Sequence, residues 1–211
     1  MVKEGVGSWG SRSAVTGGAA LLDAAEKLKA EVARKAGRYS PKALLSGEFD
    51  AETFYKREGS LNAFGANLVA ATLEPTGAVR VEECVAYYDV GRPLNRAMVE
   101  GQIVGGSAQA IGQVLYEEAQ YNEDGQVMTA SLADAGLATA AEMPPRFVVK
   151  LAKSRSSFAH GAKGVGESPT IGVPPALVRA IERQAGKRIT ATPVRPENLA
   201  RPSDDQAWQE E

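Results

Sequence analysis

Cys84 is the only cysteine and His160 the only histidine in 211 residues. This scarcity excludes an internal disulfide. It also leaves too few side chains to build a zinc cage, an iron–sulfur cluster or a Cys–His nucleophile pair. No apolar run approaches the length needed to cross a bilayer, and the start Met1-Val2-Lys3-Glu4-Gly5 lacks the apolar core of a signal peptide, so a cytoplasmic protein with no membrane partner is expected. Lysines and arginines are scattered among acidic residues rather than gathered in a block, which speaks against a nucleic-acid partner. What remains is the composition of a soluble globular chain: 44% hydrophobic, 24% charged, net charge -2. The length suits one domain or two small ones.

The chemistry that is present concentrates in Gly161-Ala162-Lys163-Gly164-Val165-Gly166-Glu167. Glycines at 161, 164 and 166 remove steric bulk and allow the backbone to lie directly against a ligand, with Glu167 at its end. A carboxylate in such a site is a candidate general base, because lost hydration raises a carboxylate's pKa toward working pH. The same spacing also fits an ordinary surface turn with a solvated glutamate. His160, just before the loop, reads as a polar loop residue or as support for its neighbours. Cys84, inside Val81-Glu82-Glu83-Cys84-Val85-Ala86-Tyr87, reads as a buried, inert thiol on a strand.

Periodicity places the remaining elements. Leu21, Ala25, Leu28 and Val32 recur at helical spacing, predicting an amphipathic helix from Ala19 to Ala36 that starts near Thr16 or Gly17-Gly18 and stops at Gly37. Ahead of it, Gly7-Ser8-Trp9-Gly10-Ser11-Arg12-Ser13 brings glycines, hydroxyls and a guanidinium to a helix N-terminus, which suits either a phosphate-like anion or a plain capping loop. Tyr39 to Gly59 reads as a polar surface connection. Ala63 to Leu73 and Ala78 to Asp89 form a hairpin around Glu74-Pro75-Thr76-Gly77. A second hairpin is expected around Asn122-Glu123-Asp124-Gly125, between Leu115-Tyr116 and Gln126-Val127-Met128. Phe147 to Leu151 is a further strand, Pro174 to Ala185 a last helix ending at Gly186, and Ala200 to Glu211 a polar tail.

Asn95 to Leu115 is the least ordinary helix, with glycines at 101, 105, 106 and 112. Each glycine inside a helix costs about 1 kcal/mol relative to alanine. Close approach of another backbone, or of a flat cofactor read by Gln102 and Gln109, would compensate. Tight helix packing with the glutamines in solvent fits equally.

Four ordered segments carry a resemblance. Asp89-Val90-Gly91-Arg92-Pro93-Leu94-Asn95, Glu100 through Gly112, Gly161 through Ser168 and Gly7 through Ser13 closely resemble the molybdenum-binding subunit of the xanthine oxidase family, which includes xanthine dehydrogenases, aldehyde oxidoreductases and aerobic carbon monoxide dehydrogenases. The resemblance extends over about residues 5 to 199. It implies an α+β fold of mixed helices and hairpin strands, the second molybdopterin-binding domain of such enzymes, over residues 1–199 in one or two lobes. The polar tail, residues 200–211, follows that domain. The implied cofactor is molybdopterin in its cytosine dinucleotide form, to which the protein gives no direct metal ligand. By resemblance, Glu167 is the catalytic glutamate that takes up a proton as oxygen is transferred to an electron-poor C–H carbon of an aldehyde, N-heterocycle or similar substrate, with water as the oxygen source. Gln102 corresponds to a glutamine at the molybdenum centre or its pterin. Gly10, Ser11, Arg12 and Ser13 match the segment that holds the pyrophosphate and dinucleotide, and Lys163, Gly164, Val165 and Gly166 pack against the cofactor.

The departures are as informative. The family's subunit is several times longer, and its first half carries further pterin contacts, an active-site arginine and much of the substrate funnel. A split subunit is therefore expected, completed by a chain carrying the N-terminal part, with [2Fe-2S] clusters and FAD on iron–sulfur and flavin subunits. Ser131 to Ala140 has small residues at Ala135 and Ala138 where the family usually has an aromatic and a proline, and Trp9 stands where Tyr or Phe is more common. The alternative is a noncatalytic molybdopterin-binding or assembly module.

Overall fold

The computed structural model describes residues 5, 7–36, 41–45, 49–56, 62–154, 156 and 159–200. The chain divides into two compact units. The first comprises Met1–Ala63, Val90–Leu94 and Lys153–Gly164, and the second Phe64–Asp89, Asn95–Ala152 and Val165–Glu211. The elements are helices and a small mixed sheet, the expected α+β class: α1 (Gly18–Ala36), α2 (Pro41–Leu44), β1 (Phe64–Leu73), β2 (Val79–Asp89), α3 (Arg96–Leu115), β3 (Arg146–Leu151) and α4 (Pro169–Ala185).

The second unit is a three-stranded sheet in the order β1-β2-β3 with α3 and α4 packed on it. β1 and β2 form the expected antiparallel hairpin, and β3 returns parallel to β2 after the α3 crossover. Alternation puts Val69, Ala71 and Leu73 against the core and leaves Leu68 exposed. A register shift between Ala70 and Ala71 leaves Glu82 without a Cα partner. Both Val81 and Cys84 consequently face inward, although three residues apart. Leu177 and Ile181 of α4 meet Ile111 and Val114 of α3 in this core, each large side chain contributing about 1.5–3 kcal/mol by burial.

Two expectations need correction here. α4 begins at Pro169 rather than Pro174, with Pro174 and Pro175 inside it. Proline's fixed φ suits the helix start at Pro169; Pro174 and Pro175 remove two ladder bonds in the second turn, and burial of Val173, Leu177 and Ile181 in the core holds the helix despite that cost. The second hairpin is reduced to one bridge between Tyr121 and Val127. Leu115 ends α3, the Asn122 side chain takes the Gln126 N–H at 2.8 Å within the turn, and one further bond, Met128 N–H to Gln120 O at 2.8 Å, lies beyond the bridge.

In the first unit a π-helical turn, Ser13–Gly17, leads into α1, so the helical run starts earlier than Thr16. Its buried stripe is Val15, Ala19 and Val32. Leu21, expected in that stripe, is 71% exposed. The expected connection from Tyr39 to Gly59 lies partly outside the described residues, and Pro41–Leu44 within it is a short helix. Of the expected tail, residues 201–211 lie outside the described residues.

Candidate functional site

The expected site residues fall on both units. In the first, Gly10 and Ser11 are both left-handed, with φ of 59° and 55°. They turn the backbone so that Arg12 heads the helical run, its carbonyl accepting from Thr16 N–H at 2.8 Å. The Arg12 guanidinium stacks 3.5 Å above the Trp9 ring centroid and donates to Gly7 O at 2.9 Å. A guanidinium has five N–H donors, so this hydrogen bond leaves others for a ligand. The Ser8 and Ser13 hydroxyls are paired beside it.

The Gly-rich loop rests on that turn. A Cβ on Gly164 would lie 2.1 Å from the Ser11 carbonyl oxygen and 2.7 Å from the Ser11 Cβ, a contact that only glycine permits. Lys163 N–H donates to Val90 O, and Arg92 N–H to Gly161 O, both at 2.8 Å, tying the loop to the 90–92 segment. Ser11 and Gly164, predicted from separate motifs, are thus brought together. His160 adopts φ 52°, and its ring lies where a Cβ on Gly18 would meet it at 3.3 Å. Both of its ring nitrogens are buried without a hydrogen-bond partner among the described residues. Buried polar atoms of this kind are ordinarily satisfied by water or a bound group.

In the second unit Val165 is buried, and Ser168 N–H donates to its carbonyl at 3.1 Å. Thr170 Oγ donates to Glu167 O at 2.7 Å, and Pro169 is buried against α3, where a Cβ on Gly106 would lie 3.2 Å from its ring. Glu167 is therefore an exposed side chain on an anchored backbone. On α3, Gln102 is exposed one turn before Gly106. The four helix glycines separate into two kinds. Gly106 meets Pro169, and a Cβ on Gly112 would lie 2.1 Å from Glu117 Oε1, whereas Gly101 and Gly105 face open space. Met98, Gly101, Gln102, Gly105 and Gln109 are all exposed and lie along one flank of the helix, forming a low surface around an amide.

One group escaped the sequence reading. Asn67 Nδ2 donates to the Tyr88 hydroxyl at 2.7 Å, directly under Gly172, where a Cβ would approach Asn67 Nδ2 to 2.2 Å. Asn67 Oδ1 is buried without a partner among the described residues, and burial raises the Tyr88 pKa, a shift the Asn67 hydrogen bond only reduces. The available signal was an asparagine in the otherwise apolar run of β1. Cys84 fits its expected role: it is fully buried, and burial pushes its thiol up to about 11.

The donor set suits an anionic, flat cofactor. In the first unit a guanidinium, hydroxyls and a helix start are groups that answer a phosphate, and in the second the exposed flank of α3 around Gln102 carries an amide between glycines that meet nothing. No helix among the described residues is long and apolar enough to cross a membrane.

Known proteins share this sequence and architecture. The pattern of the molybdopterin cofactor-binding domain family matches residues 34–144. The 6-hydroxypseudooxynicotine dehydrogenase complex subunit gamma of Paenarthrobacter nicotinovorans is 31% identical over 94% of this chain and 30% of its own length. The carbon monoxide dehydrogenase large chain of Afipia carboxidovorans is 28% identical over 84% of this chain and 26% of its own. Among solved structures, aldehyde oxidoreductase from Desulfovibrio desulfuricans superposes with a TM-score of 0.75 at 27% identity, covering 90% of this chain and 22% of that one. The chain spans less than a third of the length of these relatives.

Proposed function

Because the chain belongs to the molybdopterin cofactor-binding domain family, among molybdenum hydroxylases of the xanthine oxidase type, we propose that it supplies the catalytic carboxylate and part of the cofactor cradle of an oxidoreductase. The reaction converts an electron-poor C–H bond of an aldehyde, N-heterocycle or similar substrate to C–OH, taking oxygen from water and releasing two protons and two electrons. The molybdenum cofactor, when bound, provides the two-electron acceptor and the oxygen-transferring centre. Glu167 accepts one proton at a carboxylate oxygen and returns it to solvent, a route its exposure leaves open. Gln102 offers its amide to the pterin edge. Gly10, Ser11, Arg12 and Ser13 hold the anionic end, which we assign to a cytosine dinucleotide, while Lys163, Gly164, Val165 and Gly166 line the wall beside it.

The observation that carries this reading is the anchoring around Glu167: a buried residue before it, a packed proline after it and a hydroxyl on its carbonyl. Such support holds a carboxylate's backbone in place without tying the side chain into the core. We assign the rest of the molybdenum site to a polypeptide carrying the N-terminal part of the subunit, as the family resemblance implies. We assign electron transfer to [2Fe-2S] and FAD chains of a cytoplasmic complex. In the assembled enzyme, Glu167→Gln should retain bound molybdenum and lose turnover by about a thousandfold. Turnover close to that of the parent would remove Glu167 from the mechanism. Release of CMP on acid hydrolysis tests the dinucleotide form.

A further inference from the structure

On the inner face of β1 and β2, where Val69, Ala71, Val81 and Cys84 build an apolar core, two polar side chains stand in place of hydrophobic ones. Tyr88 is 2% exposed, and its hydroxyl accepts from Asn67 Nδ2 at 2.7 Å. Glycines make room for the pair on both sides. Gly65 is the cross-strand partner of Tyr88, and a Cβ there would lie 2.2 Å from the ring carbon Cε1. Above, a Cβ at Gly172 of α4 would lie 2.2 Å from Asn67 Nδ2. A glycine inside a strand or a helix lowers local stability, and Asn67 Oδ1 is buried with no partner among the described residues. A leucine and a phenylalanine would fill the same space without an unpaired atom. A locally unfavourable arrangement kept in a core points to a task beyond holding the core together.

Position supplies that task. Gly172 lies in the first turn of α4, and Glu167 stands two residues before the helix begins. Thr170 Oγ donates to Glu167 O at 2.7 Å and Ile171 N–H to Ser168 O at 3.2 Å, so residues 167–172 form one hydrogen-bonded unit. It rests on two supports of different kinds. Pro169 meets Gly106 of α3, an apolar contact without preferred direction. Asn67 is held by a directional hydrogen bond, so the surface it offers to Gly172 cannot turn away as a free side chain could. We propose that Asn67 and Tyr88 are positioning residues for Glu167, fixing the turn from which its carboxylate is presented. The proposal rests on the reading above of Glu167 as the proton acceptor. Misplacing a reacting group by about 1 Å can cost about a hundredfold in rate, which gives such a support its value.

The test places single and double substitutions in the full chain, tagged and recovered from its own cells with the proteins that copurify. Tyr88→Phe alone strands the buried amide and should lower the thermal midpoint, as should Asn67→Leu alone, which strands the hydroxyl. Asn67→Leu with Tyr88→Phe removes both polar partners at nearly constant shape, so its midpoint should return to the parent's or exceed it. A purely structural pair would restore everything else with it. Instead, the amides of Ile171 and Gly172 should exchange with deuterium about tenfold faster in the double variant. With benzaldehyde as probe substrate and dichlorophenolindophenol as electron acceptor, kcat should fall about tenfold while KM and molybdenum content hold. Parental exchange and parental kcat in the double variant overturn the proposal, as does a midpoint that stays as low as in the single variants. The exchange measurement needs no substrate. If Glu167→Gln turns over benzaldehyde like the parent while the double variant still exchanges faster, the reading of Glu167 as the base fails and the anchoring of its turn stands.

Discussion

Gly164 is expected to lie against a cofactor and Gly105 against either a cofactor or a packed helix, and the two glycines meet different surroundings. At Gly164 a Cβ would run into the Ser11 carbonyl of the same unit, whereas at Gly105 it would meet nothing within 4 Å. The first region is finished by its own backbone. The second is left open. The contrast teaches that contact with backbone accounts for one glycine, while the other stands where only an experiment on occupancy can account for it.

That contrast can be broken directly. Gly164→Ala should destabilise the chain by about 3 kcal/mol in urea unfolding, since the clash is with backbone that cannot rotate away. An unchanged midpoint would mean the close approach to Ser11 is not maintained in solution. Gly101→Ala with Gly105→Ala should do the reverse, stabilising the isolated chain by about 1 kcal/mol per site through helix propensity. The same pair should lower the molybdenum content of the assembled enzyme. A double variant that gains stability and keeps its metal would show that the bare flank of α3 receives no ligand.

The smallest effect lies at the far end of α4 and serves as a reference for both. Glu182 accepts from Ile189 N–H at 3.0 Å and from Arg179, and these hydrogen bonds hold its carboxyl below the ordinary value of 4.5. A depressed folded pKa contributes stability that is present above the unfolded value and is lost as pH falls through the folded one. Glu182→Gln should therefore lower stability slightly at pH 7 and flatten its decline below about pH 4.5. A parallel decline in variant and parent would remove these hydrogen bonds from the ledger. Neither glycine position should alter that slope.

Much of this was legible in the chain itself, in ways that follow the range of each signal. The β1–β2 hairpin was written locally, by alternation and a Pro-Thr-Gly turn, and appeared within a residue of its expected bounds. The start of α3 at Asn95 was equally local, and the structure adds the reason, its side chain accepting from Met98 N–H at 3.1 Å as the cap. The start of α4 was missed because three prolines compete for one role, and only packing of Pro169 into Gly106 decides among them. The second hairpin was expected too long: turn residues mark where the chain reverses but not how far its flanks pair, and only the Tyr121–Val127 bridge forms. At the candidate site, glycine spacing pointed to close approach, but could not say that Gly164 meets Ser11, nor separate Gly106 from Gly105. Those are long-range facts. The Asn67–Tyr88 pair under Gly172 is of the same kind: each member is unremarkable until a strand, a neighbouring strand and a helix converge.

Trp9 is one of two tryptophans in the chain, and the other, Trp208, sits in the acidic tail. With the Arg12 guanidinium 3.5 Å above its ring, the indole shares its face with the very cation that would meet a phosphate. An anion drawing Arg12 toward itself would change the local field at an aromatic whose emission is sensitive to nearby charge. If this turn takes the anion proposed above, Trp9 gives it an optical readout, and occupancy can be followed by light without a label or a turnover assay.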